Sequence, residues 1–188
     1  GAARPKLGSV QLEPGVDLLY ALPIDGIYTM VVEQEQGVVV IEPGMNDLKG
    51  EEIIRWIGER YPGKPVTHLV VSHHHNDHGG GIRPYVANGT TLVVHDTATG
   101  FYQGQVNRPK SKVLMDALDR NPRPADIIGV TEGEFYTIED PTQSVTVYPV
   151  LGGHTDDMVV AVLEKQSMLY AGDLYVSGIN NILISELI

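Results

Sequence analysis

Four of the chain's seven histidines lie in the short run from His73 to His78, together with one aspartate. This run directly follows Val66 to Val71, a β-branched apolar segment of the length expected for a buried strand. The histidines are therefore predicted to emerge at the carboxyl end of a core strand. Chance clustering is a poor explanation for them, so the run indicates a metal-binding loop rather than a solvated polar loop.

The spacing within the run predicts which side chains share a cation. In an extended chain, side chains two residues apart point the same way, so His73 and His75 can converge while His74 points elsewhere. Asp77 and His78 lie around the following bend, where they can serve a second cation. Imidazole and carboxylate ligands suit zinc. The glycines that follow, Gly79 to Gly81, allow a tight backbone path that bulky side chains would obstruct.

Composition limits the remaining chemistry and the partners. The chain has no cysteine, which excludes disulfides, thiolate zinc sites and a cysteine nucleophile. Its net charge of -11 and its lack of a Lys or Arg run argue against a nucleic-acid partner. No apolar stretch approaches the roughly 20 residues of a membrane-spanning helix, so we expect a soluble protein without a membrane partner. The sequence begins with Gly1 rather than Met, so a signal could have been removed, and the compartment and oligomeric state stay open.

The order of the predicted elements indicates one α/β domain over residues 1–188. Two β-rich halves are separated by helical segments, a pattern that suggests two sheets packed face to face with helices on their outer faces. The first half begins as an antiparallel meander. The predicted strands are Val16 to Leu22, Ile27 to Glu33, Gly37 to Ile41, Val66 to Val71, Thr91 to His95, Glu134 to Ile138, Ser144 to Val150, Met158 to Glu164 and Met168 to Ala171. The predicted helices run from Asn46 or Asp47 to Tyr61, Ile82 to Ala87, Thr97 to Val106 and Ser111 to Arg120.

The run His73-x-His75-x-Asp77-His78 resembles the HxHxDH signature of the metallo-β-lactamase superfamily, a highly specific motif. The whole chain follows the order of elements that is typical of this family. It implies an αββα sandwich of two mixed β-sheets with outer helices and with metals at one edge between the sheets. The turn at Gly153-His154-Thr155 resembles the family's third-histidine turn, and Ala171-Gly172-Asp173 resembles its bridging-aspartate turn.

The resemblance also implies a set of ligands and a reaction. His73, His75 and His154 would hold the first metal, Asp77 and His78 the second, and Asp173 would bridge them. Zinc is expected, two ions per complete domain, with iron or manganese as alternatives. The implied reaction is hydrolysis of a small-molecule ester, lactone, thioester or β-lactam, in which a hydroxide held by the metals attacks the carbonyl. Asp77 would be the catalytic residue that orients this hydroxide.

The sequence departs from the family pattern at two places. The family places a further histidine ligand after Asp173, and none is present in the remaining residues. We interpret Asn181 to Ile188 as the approach to or start of another helix. We therefore favour a domain that is incomplete at its C-terminus over a second site that is weak or is completed by another group. Glu42 stands where family members commonly have an aspartate. It could accept a hydrogen bond from a ligand imidazole, although a plain strand-end turn explains it equally well.

Several alternatives stay open. A mononuclear-iron oxidoreductase acting on persulfides, or a non-catalytic metal-binding module, could be built on the same scaffold. The histidine run is also similar to that of thioester hydrolases acting on glutathione conjugates, but no cationic patch for a tripeptide can be identified. His68, His74 and His95 are not expected to be ligands. A substrate-facing hydroxyl could come from a tyrosine, and the sequence does not choose among Tyr85, Tyr102 and Tyr175.

Overall fold

The computed structural model describes residues 4–108, 115–151 and 154–174, and the backbone of 182–184. These residues form two β-sheets, one of seven strands in the order β1 to β7 and one of five strands in the order β12-β11-β10-β9-β8. The larger sheet contains β1 (Lys6–Glu13), β2 (Val16–Leu22), β3 (Tyr28–Glu33), β4 (Val38–Ile41), β5 (Val66–Val70), β6 (Thr91–His95) and β7 (Ile127–Val130). The smaller contains β8 (Tyr136–Ile138), β9 (Val145–Val150), β10 (Met158–Leu163), β11 (Met168–Tyr170) and β12 (Ile182–Ile184).

The larger sheet changes from antiparallel to parallel pairing at β4. Strands β1 to β4 form an antiparallel meander, whereas β4 to β7 pair in parallel. Parallel neighbours need crossover connections, and helices supply them here. The helices are α1 (Asp47–Arg60), α2 (Asn76–Gly79), α3 (Ile82–Ala87), α4 (Thr99–Asn107) and α5 (Ala117–Arg120). The carboxyl ends of β4, β5 and β6 consequently lie at the same edge of the larger sheet.

The first crossover helix begins and ends where the sequence predicts. Oδ1 of Asn46 accepts a hydrogen bond from the backbone N–H of Lys49 at 3.0 Å and so caps α1. Beyond Arg60 the chain passes into the predicted stop at Pro62 and Gly63, which has a positive φ of 81°. Ile53 and Ile57 are fully buried against the larger sheet.

Two apolar cores result from the alternation of side chains along the strands. Val38 and Val40 of β4 pack with the helices in one core, whereas Val39 and Ile41 pack with the smaller sheet in the other. The order of layers is helices, larger sheet, smaller sheet. Val162 on the outer face of the smaller sheet is only partly buried. No helix of the described residues is long and apolar enough to span a bilayer.

The structure confirms the predicted fold class and also corrects the sequence prediction. The sequence prediction missed β1, β7, β12 and the short helix α2. The segment Asn181 to Ile188 was interpreted as the approach to or start of a helix. Its residues Ile182–Ile184 instead pair with β11 as a strand, while 181 and 185–188 lie outside the described residues. Of the predicted helix from Ser111 to Arg120, Ala117–Arg120 is helical and 111–114 lie outside the described residues.

Candidate metal centre

The predicted metal-binding loop starts where β5 leaves the larger sheet. Val159 of β10 donates its backbone N–H to the carbonyl of Ser72 at 2.8 Å, so the loop lies against both sheets. The chain then turns into α2, whose first turn is closed by hydrogen bonds from the N–H groups of His78 and Gly79 to the carbonyl of His75. This turn brings His78 back towards His73, and their ring centroids are 4.3 Å apart.

Three histidines form the first group of converging side chains. One nitrogen from each of His73, His75 and His154 lies within 4.8 Å of the others. Nε2 of His154 is 2.9 Å from Nδ1 of His75. His73 and His75 therefore converge as their spacing predicts, and His154 joins them from a loop that precedes β10. Such a set of three imidazoles suits a zinc ion.

His73 also belongs to a second group, with His78 and Asp173. One carboxylate oxygen of Asp173 lies 3.3 Å from Nε2 of His78, and the other lies 3.4 Å from Nε2 of His154. The carboxylate therefore faces both groups, the position that a bridging ligand would require.

Asp77 lies at the margin of the second group. Its Oδ2 atom is 3.8 Å from Nε2 of His78, and its side chain is about half exposed, at 49%. Of the six residues predicted as ligands, five fall within the two groups, and Asp77 borders them on the solvent side.

Two of the nitrogens that face the centre have no hydrogen-bond partner among the described residues. Nε2 of His73 and Nε2 of His78 are both buried and unpaired. Their other nitrogens are used, since Nδ1 of His73 lies 2.9 Å from Oγ of Ser72 and Nδ1 of His78 lies 3.2 Å from Oε2 of Glu42. Leaving buried polar atoms unpaired costs about 1–3 kcal/mol each. A cation between them would remove this cost, so the donor set fits a metal.

Burial and neighbouring charge affect the two buried imidazoles in opposite directions. Burial, together with the neighbouring His78 and His75, lowers the pKa of His73 to about 4. Burial also acts to lower the pKa of His78, but the hydrogen bond and charge of Glu42 outweigh it, and this pKa is raised. His73 is thus neutral near pH 7, the state that metal binding requires.

Glu42 connects the end of β4 to the metal-binding loop. Its carboxylate is completely buried and accepts hydrogen bonds from the backbone N–H of Ser72 at 3.0 Å and from the His78 imidazole. Its φ is 71°, in a region that costs free energy for residues other than glycine. The interpretation of Glu42 as an acceptor for an imidazole is confirmed.

The glycines after the histidine run make room for the loop. A Cβ atom on Gly80 would lie 2.3 Å from the carbonyl oxygen of Met45, and one on Gly81 would lie 2.6 Å from that of Gly44. Real Cβ atoms do not approach backbone oxygens so closely. The prediction that glycine provides space here is confirmed.

The histidines that were not expected to be ligands have other partners. Nδ1 of His74 lies 2.8 Å from Oδ1 of Asp157. His68 and His95 bond to the hydroxyls of Thr67 and Thr97, respectively. None of the three histidines belongs to either group of the described residues.

The sequence did not reveal the residues that support the loop. Tyr102 is buried and donates its hydroxyl to the carbonyl of His73 at 2.7 Å. Tyr85 is also buried and donates to the carbonyl of Pro43. Neither hydroxyl can therefore face a substrate, and Tyr175 lies outside the described residues. Asp157 was missed because a lone aspartate in a turn carries no distinguishing pattern.

Comparison with known proteins defines the class. The sequence profile of the metallo-beta-lactamase superfamily matches residues 22–183, and the chain belongs to this superfamily.

Two curated relatives match parts of the chain. Hydroxyacylglutathione hydrolase of Prochlorococcus marinus (strain MIT 9301) is 25% identical over 146 residues, which cover 77% of this chain and 48% of that protein. The 2,4-dinitroanisole O-demethylase subunit beta of Nocardioides sp. (strain JS1661) is 33% identical over 104 residues, which cover 55% of this chain and 32% of that protein. The chain thus spans a half or less of the length of these relatives.

Solved structures agree on the fold. A metallo-beta-lactamase from Pontibacter korlensis superposes with a TM-score of 0.68 at 24% identity, covering 92% of this chain and 74% of the other. A metallo-beta-lactamase from Hirschia baltica superposes with a TM-score of 0.61 at 19% identity, covering 88% and 70%.

Proposed function

We propose that the chain is a metal-dependent hydrolase domain that holds two zinc ions and cleaves an ester, lactone, thioester or β-lactam. The observation that carries this proposal is the position of Asp173, whose two carboxylate oxygens face His78 and His154 of adjoining groups. The buried Nε2 atoms of His73 and His78 support it, since neither has a hydrogen-bond partner among the described residues, as expected of metal ligands.

The residues of the two groups would have different roles in the reaction. Two bound divalent cations would lower the pKa of a water molecule and polarise the carbonyl of the substrate. His75 and His154 complete the first group, and His78 and Asp77 serve the second. Because Asp77 is half exposed at the margin, its carboxylate can accept a hydrogen bond from the attacking water and take up its proton.

The supporting residues keep these side chains in place. Glu42 fixes the ring of His78 through Nδ1, and Ser72 does the same for His73. Such partners hold a ligand ring in one orientation and leave the other nitrogen free for the metal. The hydrolase named among the relatives supports the reaction type, and the scissile bond in this chain's own substrate is part of the proposal.

The test is turnover of a panel of chromogenic substrates before and after metal removal. The panel contains a nitrophenyl ester, a lactone, a thioester and a β-lactam, assayed with zinc-loaded protein and with the same protein after chelation. We expect hydrolysis of at least one class that chelation abolishes and added zinc restores. His75→Ala should abolish this turnover, whereas Glu59→Gln, on the exposed face of α1, should not. Zinc-loaded protein that hydrolyses no member of the panel would contradict the proposal.

A further inference from the structure

A groove of about 500 Å³ opens beside the first group of histidines. This volume lies within the range of small-molecule binding sites, about 300–1,000 Å³. His154 is shared between the groove and the first group, so a molecule in the groove would reach the proposed reaction centre. The groove is also lined by His74, Phe101, Asp156 and Asp157.

One wall of the groove is aromatic. Phe101 projects from α4 with 43% of its surface exposed, although it is a large apolar side chain. Its ring packs edge-on against the imidazole of His74, with centroids 5.6 Å apart, and against the buried ring of Tyr102 at 5.2 Å. The His74 ring is held in turn by the hydrogen bond that its Nδ1–H donates to the carboxylate of Asp157. The groove therefore presents a fixed apolar surface of the size of an aromatic ring.

The acidic side chains that line the groove in the described part of the chain are Asp156 and Asp157. No Lys or Arg side chain lines it within the described part of the chain. Asp157 is paired with His74, and Asp77 and Asp173 do not line the groove. Asp156 is exposed and belongs to neither group of converging ligands in the described part of the chain. Its carboxylate would thus repel an anionic group in the groove.

We infer that this groove binds the part of the substrate beyond the scissile bond, and that it selects an aromatic, uncharged or cationic group over an anionic one. The inference rests on the proposed function, because the bound molecule is a substrate only if the chain is the proposed hydrolase. It places a carboxylate-rich acyl carrier such as a glutathione moiety among the disfavoured groups. Phe101 and Asp156 are the residues that determine this specificity.

The inference is tested by binding, so that turnover is not needed. The ligands are three aryl acetamides of similar size: neutral acetanilide, anionic 4-acetamidobenzoate and the cationic 4-trimethylammonio derivative. Dissociation constants are measured by ligand-observed NMR with zinc-loaded protein. We expect the anion to bind at least about fivefold more weakly than the neutral and cationic ligands.

Variants assign this preference to the groove. Phe101→Ala should weaken the binding of all three ligands about tenfold, because the aromatic contact is lost. Asp156→Asn should reduce the discrimination against the anion and leave the neutral ligand unchanged. Phe135→Ala removes another exposed phenylalanine, 63% exposed and outside the groove, and should change nothing. The zinc content and the urea midpoint of each variant show that it is folded.

The outcomes separate this inference from the proposed function. Selective binding without turnover of the matching phenyl esters would contradict hydrolysis and support the groove as a ligand site. Zinc-dependent ester turnover with equal affinities for the three amides, unchanged in Phe101→Ala, would overturn the inference and leave hydrolysis standing.

Discussion

Oε2 of Glu42 lies 3.2 Å from Nδ1 of His78, and both side chains are buried. A carboxylate in this position accepts the Nδ1 proton, so in the neutral ring the lone pair is on Nε2, which faces Asp173. A residue at the end of β4 thereby determines which nitrogen of His78 is available to a metal.

Glu42→Gln should weaken metal binding at the second group. The carboxylate accepts from both Ser72 and His78, and an amide with one oxygen can satisfy only one of these donors. We expect a loss of about 10–100-fold in affinity at this group and little change at the first. Competition with a chromophoric chelator measures both affinities, with Glu59→Gln as the control. Equal losses at the two groups would show that Glu42 supports the whole loop rather than His78.

Single alanine substitutions in the histidine run should change the metal content unequally. His73→Ala should disturb both groups, because His73 belongs to both, whereas His75→Ala should remove only the first. His74→Ala should retain about two ions per chain, since its imidazole pairs with Asp157 instead. Elemental analysis after dialysis gives the stoichiometry. Equal losses in all three variants would contradict the division into groups.

The metal-free protein should become less stable as the pH falls from about 6.5 to 4. The unfolded chain protonates His73 near pH 6.5, whereas burial holds its folded pKa at about 4, so acid favours unfolding by at most about 3 kcal/mol. The raised pKa of His78 contributes stability that is fully present below pH 6.5 and is lost only as the pH rises, so it does not offset this effect.

Urea unfolding in the presence of a chelator measures this dependence in the wild type and in His73→Asn. The difference between their free energies of unfolding should decrease on acidification. A difference that stays constant from pH 7 to pH 4.5 would show that His73 is not held neutral in the folded protein.

Gly80→Ala should destabilise the fold by about 1–3 kcal/mol, because the added Cβ would meet the carbonyl oxygens of Met45 and Asn76 at 2.3 and 2.4 Å. Gly58 is the matched control, since a Cβ there meets nothing within 4 Å on the exposed side of α1. Gly58→Ala should stabilise by roughly 0.5–1 kcal/mol. The urea midpoints of both variants measure these changes in stability. An unchanged midpoint for Gly80→Ala would show that the loop can shift to accommodate the added Cβ.

The sequence predicted the elements whose side chains follow a clear pattern. The apolar run of β5, the capped helix α1 and the alternation of β2 each correspond to an element in the structure within one or two residues. In contrast, β1 is an edge strand with mostly exposed or half-buried side chains, and its pairing with β2 depends on backbone hydrogen bonds that leave little pattern in the sequence.

In the candidate site, too, the sequence predicted the features that follow a local pattern and missed those that depend on the tertiary fold. The spacing of His73 and His75 alone predicted that they converge, because side chains two residues apart in an extended chain point the same way. The contributions of His154 and Asp173 came from resemblance, since no local pattern connects them to a loop about 80 or 100 residues away. The groove beside Phe101 was not predicted, because it forms only when α4 and the loop before β10 come together.

Anomalous diffraction from zinc-loaded crystals, recorded at the zinc edge, tests the central claim most directly. We expect two peaks, one among His73, His75 and His154 and the other beside His78 and Asp173. A single peak at the first group would contradict the second cation, and the absence of any peak at these residues would contradict the metal centre itself.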